Sequence, residues 1–155
     1  MSKKIIFSAG GTGGHIFPAI NLMEHFSNKS YDVVLVTDQR ANFFLKDYFK
    51  YKSYTIKTDT PINKNFFKKI ISILIIFYSV IRSLFILKKE KPDLIIGFGG
   101  YVSFPTCLAS IFFNLPLLIY ENNLLLGRTN KYLLRVAKKL IIATSIRTEI
   151  CTAKN

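Results

Sequence analysis

The feature that most restricts the fold is a short apolar run that ends in a cluster of glycines. Residues 4–8 are typical of a buried β-strand, and four of the five residues from Gly10 to Gly14 are glycine. A helical pattern follows, with Pro18 near its first turn, where the missing N–H removes no helical hydrogen bond. Glycines permit positive φ, which we expect at Gly13 and Gly14, and the free N–H groups of a helix start attract negative charge. Strand, glycine turn and helix in this order predict an anion-binding site.

The spacing after the glycines differs from that of the two common nucleotide motifs. A phosphate loop of the nucleotide-hydrolase type requires Lys and then Ser or Thr, where this chain has His15 and Ile16. The dinucleotide fingerprint requires a third glycine at the position of Ile16. Asp38, which follows the second predicted strand, is therefore only a minor candidate for holding the ribose of a nicotinamide cofactor. A tight turn without a ligand is the remaining alternative, although a plain turn does not require so many glycines.

The composition fits one folded domain with an anionic partner. Half of the 155 residues are hydrophobic, which is enough for a buried core and argues against disorder. The net charge of +13 has two open explanations, a genomic composition bias or selection for a polyanionic partner. An anionic membrane fits this charge better than nucleic acid, because no aromatic and basic recognition motif is present. Cys107 and Cys151 lack metal-ligand spacing, so we expect a reducing compartment and no metal site, and we interpret both cysteines and His25 as structural or incidental.

Apolar runs alternate with helical patterns along the whole chain. The predicted strands are residues 4–8, 33–36, 54–56, 94–97, 117–120 and 140–143. The predicted helices are residues 16–26, 41–50, 66–90, 105–113 with Ser103 as a candidate cap, and the segment from 128 through 138. This alternation indicates an α/β fold with a doubly wound, parallel, Rossmann-like sheet. Since such sheets bind ligands where the strands end, the glycine-rich and polar loops after the first, fourth and fifth strands are expected to form the site.

The longest predicted helix, residues 66–90, has an unusually apolar surface. Between Ile70 and Leu87 its only charge is Arg82, and lysine pairs lie at both ends. Serines and basic residues fall near one face at helical spacing, and the remaining apolar surface is wider than a core-facing stripe requires. Three interpretations stay open: contact with a membrane interface, burial within the protein, and a transmembrane span, which the length permits. A span fits least well, because it would remove this helix from the alternating pattern around it.

Three motifs resemble the signatures of the MurG family, the N-acetylglucosaminyltransferases that complete the lipid-linked peptidoglycan precursor. They are residues 10–19 (GGTGGHIFPA), residues 99–103 (GGYVS) and residues 121–130 (ENNLLLGRTN). The resemblance extends over essentially the whole chain, and it implies the N-terminal, acceptor-binding half of a two-domain GT-B glycosyltransferase. Residues 1–144 would form a glycosyltransferase family 28-like N-terminal domain. Residues 145–155 would begin the connection to a C-terminal donor domain that is absent from this sequence.

The resemblance also implies roles for residues of the three motifs. The glycine turns would face the diphosphate of an undecaprenyl-linked N-acetylmuramyl-pentapeptide acceptor, and part of the first turn would also contact the UDP-N-acetylglucosamine donor. The implied acceptor-diphosphate residues are Gly10, Gly11, Gly13, Gly14, Gly99, Gly100, Tyr101 and Ser103. The implied donor-binding residues are Thr12, Gly13, Gly14 and Asn123. Glu121 and Asn130 belong to the third loop.

The implied reaction inverts the anomeric centre in one displacement, without metal or cofactor, and it requires a base for the acceptor hydroxyl. His15 matches the family's candidate for this base. A histidine at a helix N-terminus has its pKa lowered by the helix dipole, which leaves the imidazole neutral and able to accept a proton. The alternative is that His15 only orients the loop or binds phosphate. Tyr120 and Asn122 replace the family's usual His and Gln, which leaves the donor contacts of these two positions open.

Two functions follow from the resemblance. In the first, the chain supplies the acceptor half for N-acetylglucosaminyl transfer in peptidoglycan synthesis, with a donor domain provided in cis or in trans. In the second, it is a non-catalytic lipid-diphosphate-binding module or the membrane-recruiting subunit of a split glycosyltransferase. Either way, the resemblance places the protein peripherally on the cytoplasmic face of the bacterial inner membrane.

Overall fold

The computed structural model describes residues 2–45, 49–123, 125–143 and 150–152, and these residues build an α/β sheet with helices on both faces. The strands are β1 (Lys4–Ser8), β2 (Asp32–Thr37), β3 (Lys52–Thr55), β4 (Leu94–Gly97), β5 (Leu117–Glu121), β6 (Lys139–Ile142) and β7 (Ile150–Thr152). The α-helices are α1 (Gly13–Asn28), α2 (Phe66–Glu90), α3 (Gly100–Ile111) and α4 (Arg128–Leu133). A 3-10 turn covers Gln39–Phe43.

The strand order is β3-β2-β1-β4-β5-β6-β7. Strands β1 to β6 run parallel, which confirms the predicted doubly wound sheet, and β7 pairs antiparallel to β6 beyond the six predicted strands. The strand order reverses between β1 and β4, so the crevice outside the carboxyl ends of these two strands is where such sheets bind ligands. The predicted interdomain connection, residues 145–155, lies outside the described residues except for β7.

The strands bury side chains on both faces of the sheet. Along β1, Ile5 and Phe7 pack under α1, whereas Ile6 packs in the opposite layer with residues of α2, α3 and α4. Such two-sided burial is the reason why the strands read as nearly continuous apolar runs. Cys107 is fully buried in the second layer, and burial raises the pKa of its thiol, which fits a structural role. His25 is exposed, and the side chain of Cys151 lies outside the described part of the chain.

Several predicted helix boundaries were wrong. The helix predicted over residues 41–50 is replaced by the 3-10 turn Gln39–Phe43. The Asp38 carboxylate accepts the N–H of Ala41 (3.2 Å) and fixes this tight turn directly after β2. Residues 46–48 lie outside the described part of the chain. Helix α4 ends at Leu133, short of residue 138. Helix α1 begins at Gly13, three residues before the predicted start, so Pro18 is its sixth residue.

A buried carboxylate fixes the far end of α2 to the sheet. Glu90 accepts hydrogen bonds from Lys4 (2.9 Å) and from the Tyr54 hydroxyl (2.5 Å), and it pairs with Lys52 (2.6 Å). Burial alone would raise the pKa of Glu90, but its hydrogen bonds with Lys52, Tyr54 and Lys4 lower that pKa to about 2. Glu90 therefore stays ionised and links α2 to β1 and β3.

Candidate anion-binding site

The first glycine turn leads directly into α1. Gly11 has a φ of 85°, whereas Gly13 and Gly14 are the first two helical residues, so the positive φ expected at Gly13 and Gly14 was wrong. Thr12 is the exposed N-cap, and its carbonyl accepts the N–H groups of His15 (3.1 Å) and Ile16 (3.2 Å). The N–H groups of Gly13 and Gly14 precede the first helical hydrogen bonds, so they are available to an anion.

Gly14 has no packing reason to be glycine. A Cβ at this position would meet the Thr12 hydroxyl oxygen at 3.8 Å and no closer atom. At Gly10, by contrast, a Cβ would lie 2.8 Å from a methyl carbon of Val102. The open space beside Gly14 leaves room for a ligand to approach the backbone at the start of α1.

The second glycine turn touches the first. Gly99 and Gly100 have φ values of 83° and 71°, which favour glycine. A Cβ at Gly100 would lie 3.4 Å from both the Gly10 carbonyl oxygen and His15 Cδ2. The starts of α1 and α3 therefore meet side by side at the point where the strand order reverses.

Ser103 holds the second turn from beneath. Helix α3 begins at Gly100 with Gly99 as its N-cap, so the prediction that Ser103 caps the helix was wrong. Its hydroxyl is fully buried and lies 2.6 Å from the Ser8 carbonyl oxygen and 2.7 Å from that of Gly99. Ser103 thus ties α3 to β1 and does not present its hydroxyl to the site.

Glu121 shapes the third loop from a buried position. Its two carboxylate oxygens accept the backbone N–H groups of Asn123 (3.1 Å) and Gly127 (2.9 Å) and the side-chain amides of Asn123 and Asn130 (2.9 Å each). Burial alone would raise the pKa of Glu121, but these hydrogen bonds lower it below its usual value. The side chain of Tyr120 is not part of this network; its ring packs against that of Phe98, with the two ring centroids 4.9 Å apart.

The second glycine turn and the third loop enclose a polar cleft of about 270 Å³. Its lining residues are His15, Gly99, Gly100, Tyr101, Glu121, Asn123, Gly127, Arg128, Thr129 and Asn130. Six of the predicted site residues do not line this cleft: Gly10, Gly11, Thr12, Gly13, Gly14 and Ser103. Thr12 and Gly14 are instead exposed at the start of α1. Gly127, Arg128 and Thr129 also line the cleft but were not predicted as site residues. The basic side chain of Arg128 within the third motif could have indicated this position.

His15 lies between the two glycine turns, half-buried in the third position of α1. Burial lowers the pKa of His15, while the charge of Glu121 and a hydrogen bond to the Phe98 carbonyl raise it; the net pKa lies below the ordinary 6.5. The pKa of His15 is therefore lowered, as predicted, but the largest cause is burial and not the helix dipole named in the prediction. The imidazole is neutral at pH 7 and able to accept a proton.

Asp38 supports the first glycine turn, a role that was not predicted. It is buried, and its carboxylate accepts the N–H of Gly11 (3.2 Å) and pairs with Arg40 (2.6 Å). The minor option of a ribose ligand does not fit, since both carboxylate oxygens are already bonded within the chain.

Residues 5–142 match the sequence profile of the glycosyltransferase family 28 N-terminal domain. The chain belongs to this family. Similar curated relatives are named UDP-N-acetylglucosamine--N-acetylmuramyl-(pentapeptide) pyrophosphoryl-undecaprenol N-acetylglucosamine transferase. The protein from Wolbachia sp. subsp. Brugia malayi is 41% identical over 91% of this chain, and that from Francisella tularensis subsp. tularensis is 39% identical over 94%. The chain spans only 38% and 39% of their lengths.

Solved structures agree with the family. The crystal structure of Acinetobacter baumannii MurG superimposes with a TM-score of 0.77 at 28% identity, over 96% of this chain and 43% of that one. A putative UDP-N-acetylglucosamine 2-epimerase from Listeria monocytogenes shares the fold at 15% identity and a TM-score of 0.68, over 92% of this family 28 domain and 39% of that chain. The predicted resemblance to MurG and the Rossmann-like, GT-B N-terminal fold are thereby confirmed.

Proposed function

We propose that this family 28 domain is the acceptor half of an N-acetylglucosaminyltransferase. It acts in the transfer of N-acetylglucosamine from UDP-N-acetylglucosamine to undecaprenyl-diphosphate-linked N-acetylmuramyl-pentapeptide in peptidoglycan synthesis. The observation that carries the proposal is the meeting of two glycine turns at the reversal of strand order, with neutral His15 between them. The names of the relatives, which describe this transfer, support the same substrates.

The two turns have different tasks in this proposal. The second turn, with Gly99, Gly100 and Tyr101, binds the acceptor diphosphate in the cleft beside Arg128, and Ser103 acts by holding that turn. The first turn completes the diphosphate site and also faces the donor. The proposed first-turn residues are Gly10, Gly11, Gly13 and Gly14 for the acceptor diphosphate, and Thr12, Gly13 and Gly14, with Asn123 of the third loop, for the donor.

His15 is the proposed base in a single displacement. The acceptor hydroxyl oxygen forms a bond to the anomeric carbon of the donor sugar while the bond from that carbon to UDP breaks. The proton of the hydroxyl passes to the neutral imidazole, and the sugar is transferred with inversion. Helix N-termini and glycine N–H groups directed at the diphosphates stabilise their charge.

The variant Gly14→Ala tests the diphosphate site without destabilising the fold. We expect the variant to be as stable as wild type or more so, because alanine favours the helix and has room there. Its methyl group occupies the space left for the ligand, so its affinity for a water-soluble diphosphate-linked acceptor analogue should fall about tenfold or more. Calorimetric titration measures the affinity and thermal unfolding measures the stability.

Asn21→Ala is the matched control, since Asn21 is exposed two turns further along α1. It gains the same helix-favouring residue without approaching either glycine turn, and its affinity should equal that of wild type. Wild-type affinity in a folded Gly14→Ala protein would contradict a diphosphate site at the first turn. Absence of acceptor binding by wild type would contradict the proposed function itself.

We also propose that the protein is peripheral on the cytoplasmic face of the bacterial inner membrane and that α2 contacts the lipid. Serines form the inward side of α2: Ser72 lies 2.8 Å from an Asp59 carboxylate oxygen, Ser79 donates to the Lys57 carbonyl, and Ser83 lies 3.3 Å from the Thr106 hydroxyl. The outward side chains are large and exposed. They are Phe66, Phe67, Ile70, Ile71, Ile73, Leu74, Phe77, Tyr78, Ile81 and Phe85.

This arrangement argues against burial within the described chain as the reason for the apolar surface. Among the described helices α2 alone has the length and composition of a membrane span, and only 33% of its most apolar window is buried. However, α2 also packs against α3 and is fixed by Glu90, so lying in the interface fits better than spanning. Exposed lysines at both ends of α2 suit anionic headgroups.

Liposome co-sedimentation tests the membrane contact. We expect binding to increase with the anionic lipid content and to fall with salt, because the electrostatic contribution is screened. The double variant Ile71→Glu with Leu74→Glu should reduce partitioning about tenfold or more, since both apolar side chains then carry charge. Val136→Glu, an exposed position between α4 and β6, is the control and should have a much smaller effect.

Two outcomes would contradict this assignment. Binding that resists both salt and carbonate extraction would indicate a span. Equal binding by the double variant and by Val136→Glu would show that α2 does not contact the lipid.

A further inference from the structure

An apolar cavity of about 300 Å³ lies beside the polar cleft. Its walls include Pro61 and Ile62 of the loop before α2, Ile76 of α2, Phe104 of α3 and Tyr132 of α4. The polar cleft is lined by ionisable and amide side chains, including His15, Glu121 and Asn123, whereas this second cavity offers almost no polar surface to a ligand. The two neighbouring spaces therefore suit chemically different parts of a ligand.

The loop that closes this cavity is fixed by hydrogen bonds. The Ser72 hydroxyl lies 2.8 Å from an Asp59 carboxylate oxygen and 3.3 Å from the Thr60 carbonyl oxygen. The Asp59 carboxylate also accepts the N–H of Thr60 at 2.8 Å. Hydrogen bonds from Lys64, Ser72 and Thr60 hold the pKa of Asp59 below its usual value despite the opposing effect of burial; the largest of these comes from Lys64. These hydrogen bonds within the protein hold the loop in the position where it forms one wall of the cavity.

Three residues line both spaces: Tyr101, Arg128 and Thr129. A ligand that passes these residues would have an anionic group in the polar cleft, near Arg128, and an apolar group in the cavity. The shared lining residues make the two spaces neighbours, so a ligand that fills both needs its anionic and apolar parts close together. This is the chemistry of a prenyl diphosphate, in which the hydrocarbon begins at the oxygen of the phosphate.

We propose that the cavity binds the first isoprene units of the polyprenyl chain attached to the acceptor diphosphate. This inference rests on the proposed function and goes beyond it, since it places the first isoprene units of the acceptor in the protein and not in the bilayer. An apolar cavity of about 150 Å³ holds a benzene molecule, so about 300 Å³ accommodates roughly two five-carbon units. The remaining chain continues towards the lipid, which α2 contacts with its opposite side.

Ile76→Trp tests the cavity from the α2 side. Two acceptor analogues are titrated against the full 155-residue chain, one with a ten-carbon prenyl group on the diphosphate and one with a methyl group. Wild type should bind the prenyl analogue at least about tenfold more tightly than the methyl analogue, because binding buries the prenyl group in the cavity. The indole fills the cavity, so Ile76→Trp should lose this preference while its affinity for the methyl analogue is unchanged.

Ile73→Trp is the matched control: it is the same substitution on the outward side of α2, where the side chain is 57% exposed, and it should keep the full preference. Ile62→Trp fills the cavity from the loop and should repeat the effect of Ile76→Trp if that variant does not fold. Equal binding of the two analogues by wild type, or a preference that persists in both cavity-filling variants, overturns the inference. Failure of wild type to bind even the methyl analogue overturns the proposed function as well.

Discussion

We expect no measurable transfer of N-acetylglucosamine by the 155-residue chain alone, and turnover when a MurG-type C-terminal domain is mixed with it or fused to it. Transfer requires the leaving diphosphate of the donor to be stabilised while the acceptor hydroxyl is held in line. The described residues provide the two glycine turns and His15, which form one wall of such a site. The chain spans 38% of the Wolbachia relative, so most of that protein has no counterpart here.

The measurement uses labelled UDP-N-acetylglucosamine and a lipid-linked acceptor analogue. The C-terminal domain of A. baumannii MurG is a suitable partner, because the N-terminal part of that structure superimposes on this chain. The isolated C-terminal domain is the control and should be inactive. Turnover by the 155-residue chain alone would contradict this division of tasks. An inactive fusion that still binds the acceptor would instead favour a non-catalytic lipid-diphosphate-binding module.

The local pattern was sufficient to predict the sheet and to predict which loops lie next to each other at its edge. The apolar run of β1, the glycines after it and the helical periodicity of α1 are all encoded within 28 residues. Since parallel strands place their carboxyl ends together, the sequence alone predicts that the glycine turns after β1 and β4 are neighbours. Their direct contact, through Gly100 and the Gly10 carbonyl, follows from this topology.

The groups that hold the site could not be predicted, because their partners are distant in sequence. Asp38 accepts the N–H of a glycine 27 residues earlier, and Ser103 donates to a carbonyl 95 residues earlier. No local periodicity encodes such pairs. The inward position of the α2 serines could not be predicted for the same reason. A row of serines on one helix face usually indicates exposure to solvent, but Ser79 donates to the Lys57 carbonyl and Ser83 forms a hydrogen bond with Thr106.

These distant contacts explain why the cleft has a defined shape. Glu121 uses both carboxylate oxygens to fold the third loop, and Asp38 does the same for the first glycine turn. Both acids are buried and internally bonded, so neither is available as a base for the acceptor hydroxyl. Among the described residues that line the polar cleft, His15 alone combines a neutral ring with the capacity to accept a proton at pH 7.

The second large effect is expected for His15→Ala in the fused, active enzyme. A general base typically contributes about 10²–10⁴-fold to the rate, so on the proposed role the variant should lose this factor while its affinity for the acceptor stays within about threefold of wild type. His15→Gln keeps a polar side chain but cannot accept the proton, and it should be equally slow. His25→Ala is the matched control, because His25 is exposed near the end of α1 and should be dispensable.

The pH dependence distinguishes a base from a phosphate ligand. The base must be deprotonated, and burial holds the pKa of His15 below 6.5, so the rate of the wild-type fusion should be constant above that pH and fall as the pH decreases through the lowered pKa. His15→Ala should lack this acidic limb. If His15 only binds phosphate, protonation strengthens the interaction, and acceptor affinity should rise at low pH while the limiting rate of His15→Ala stays near that of wild type. That pair of results would assign His15 to binding and leave the proton to a group outside the described cleft.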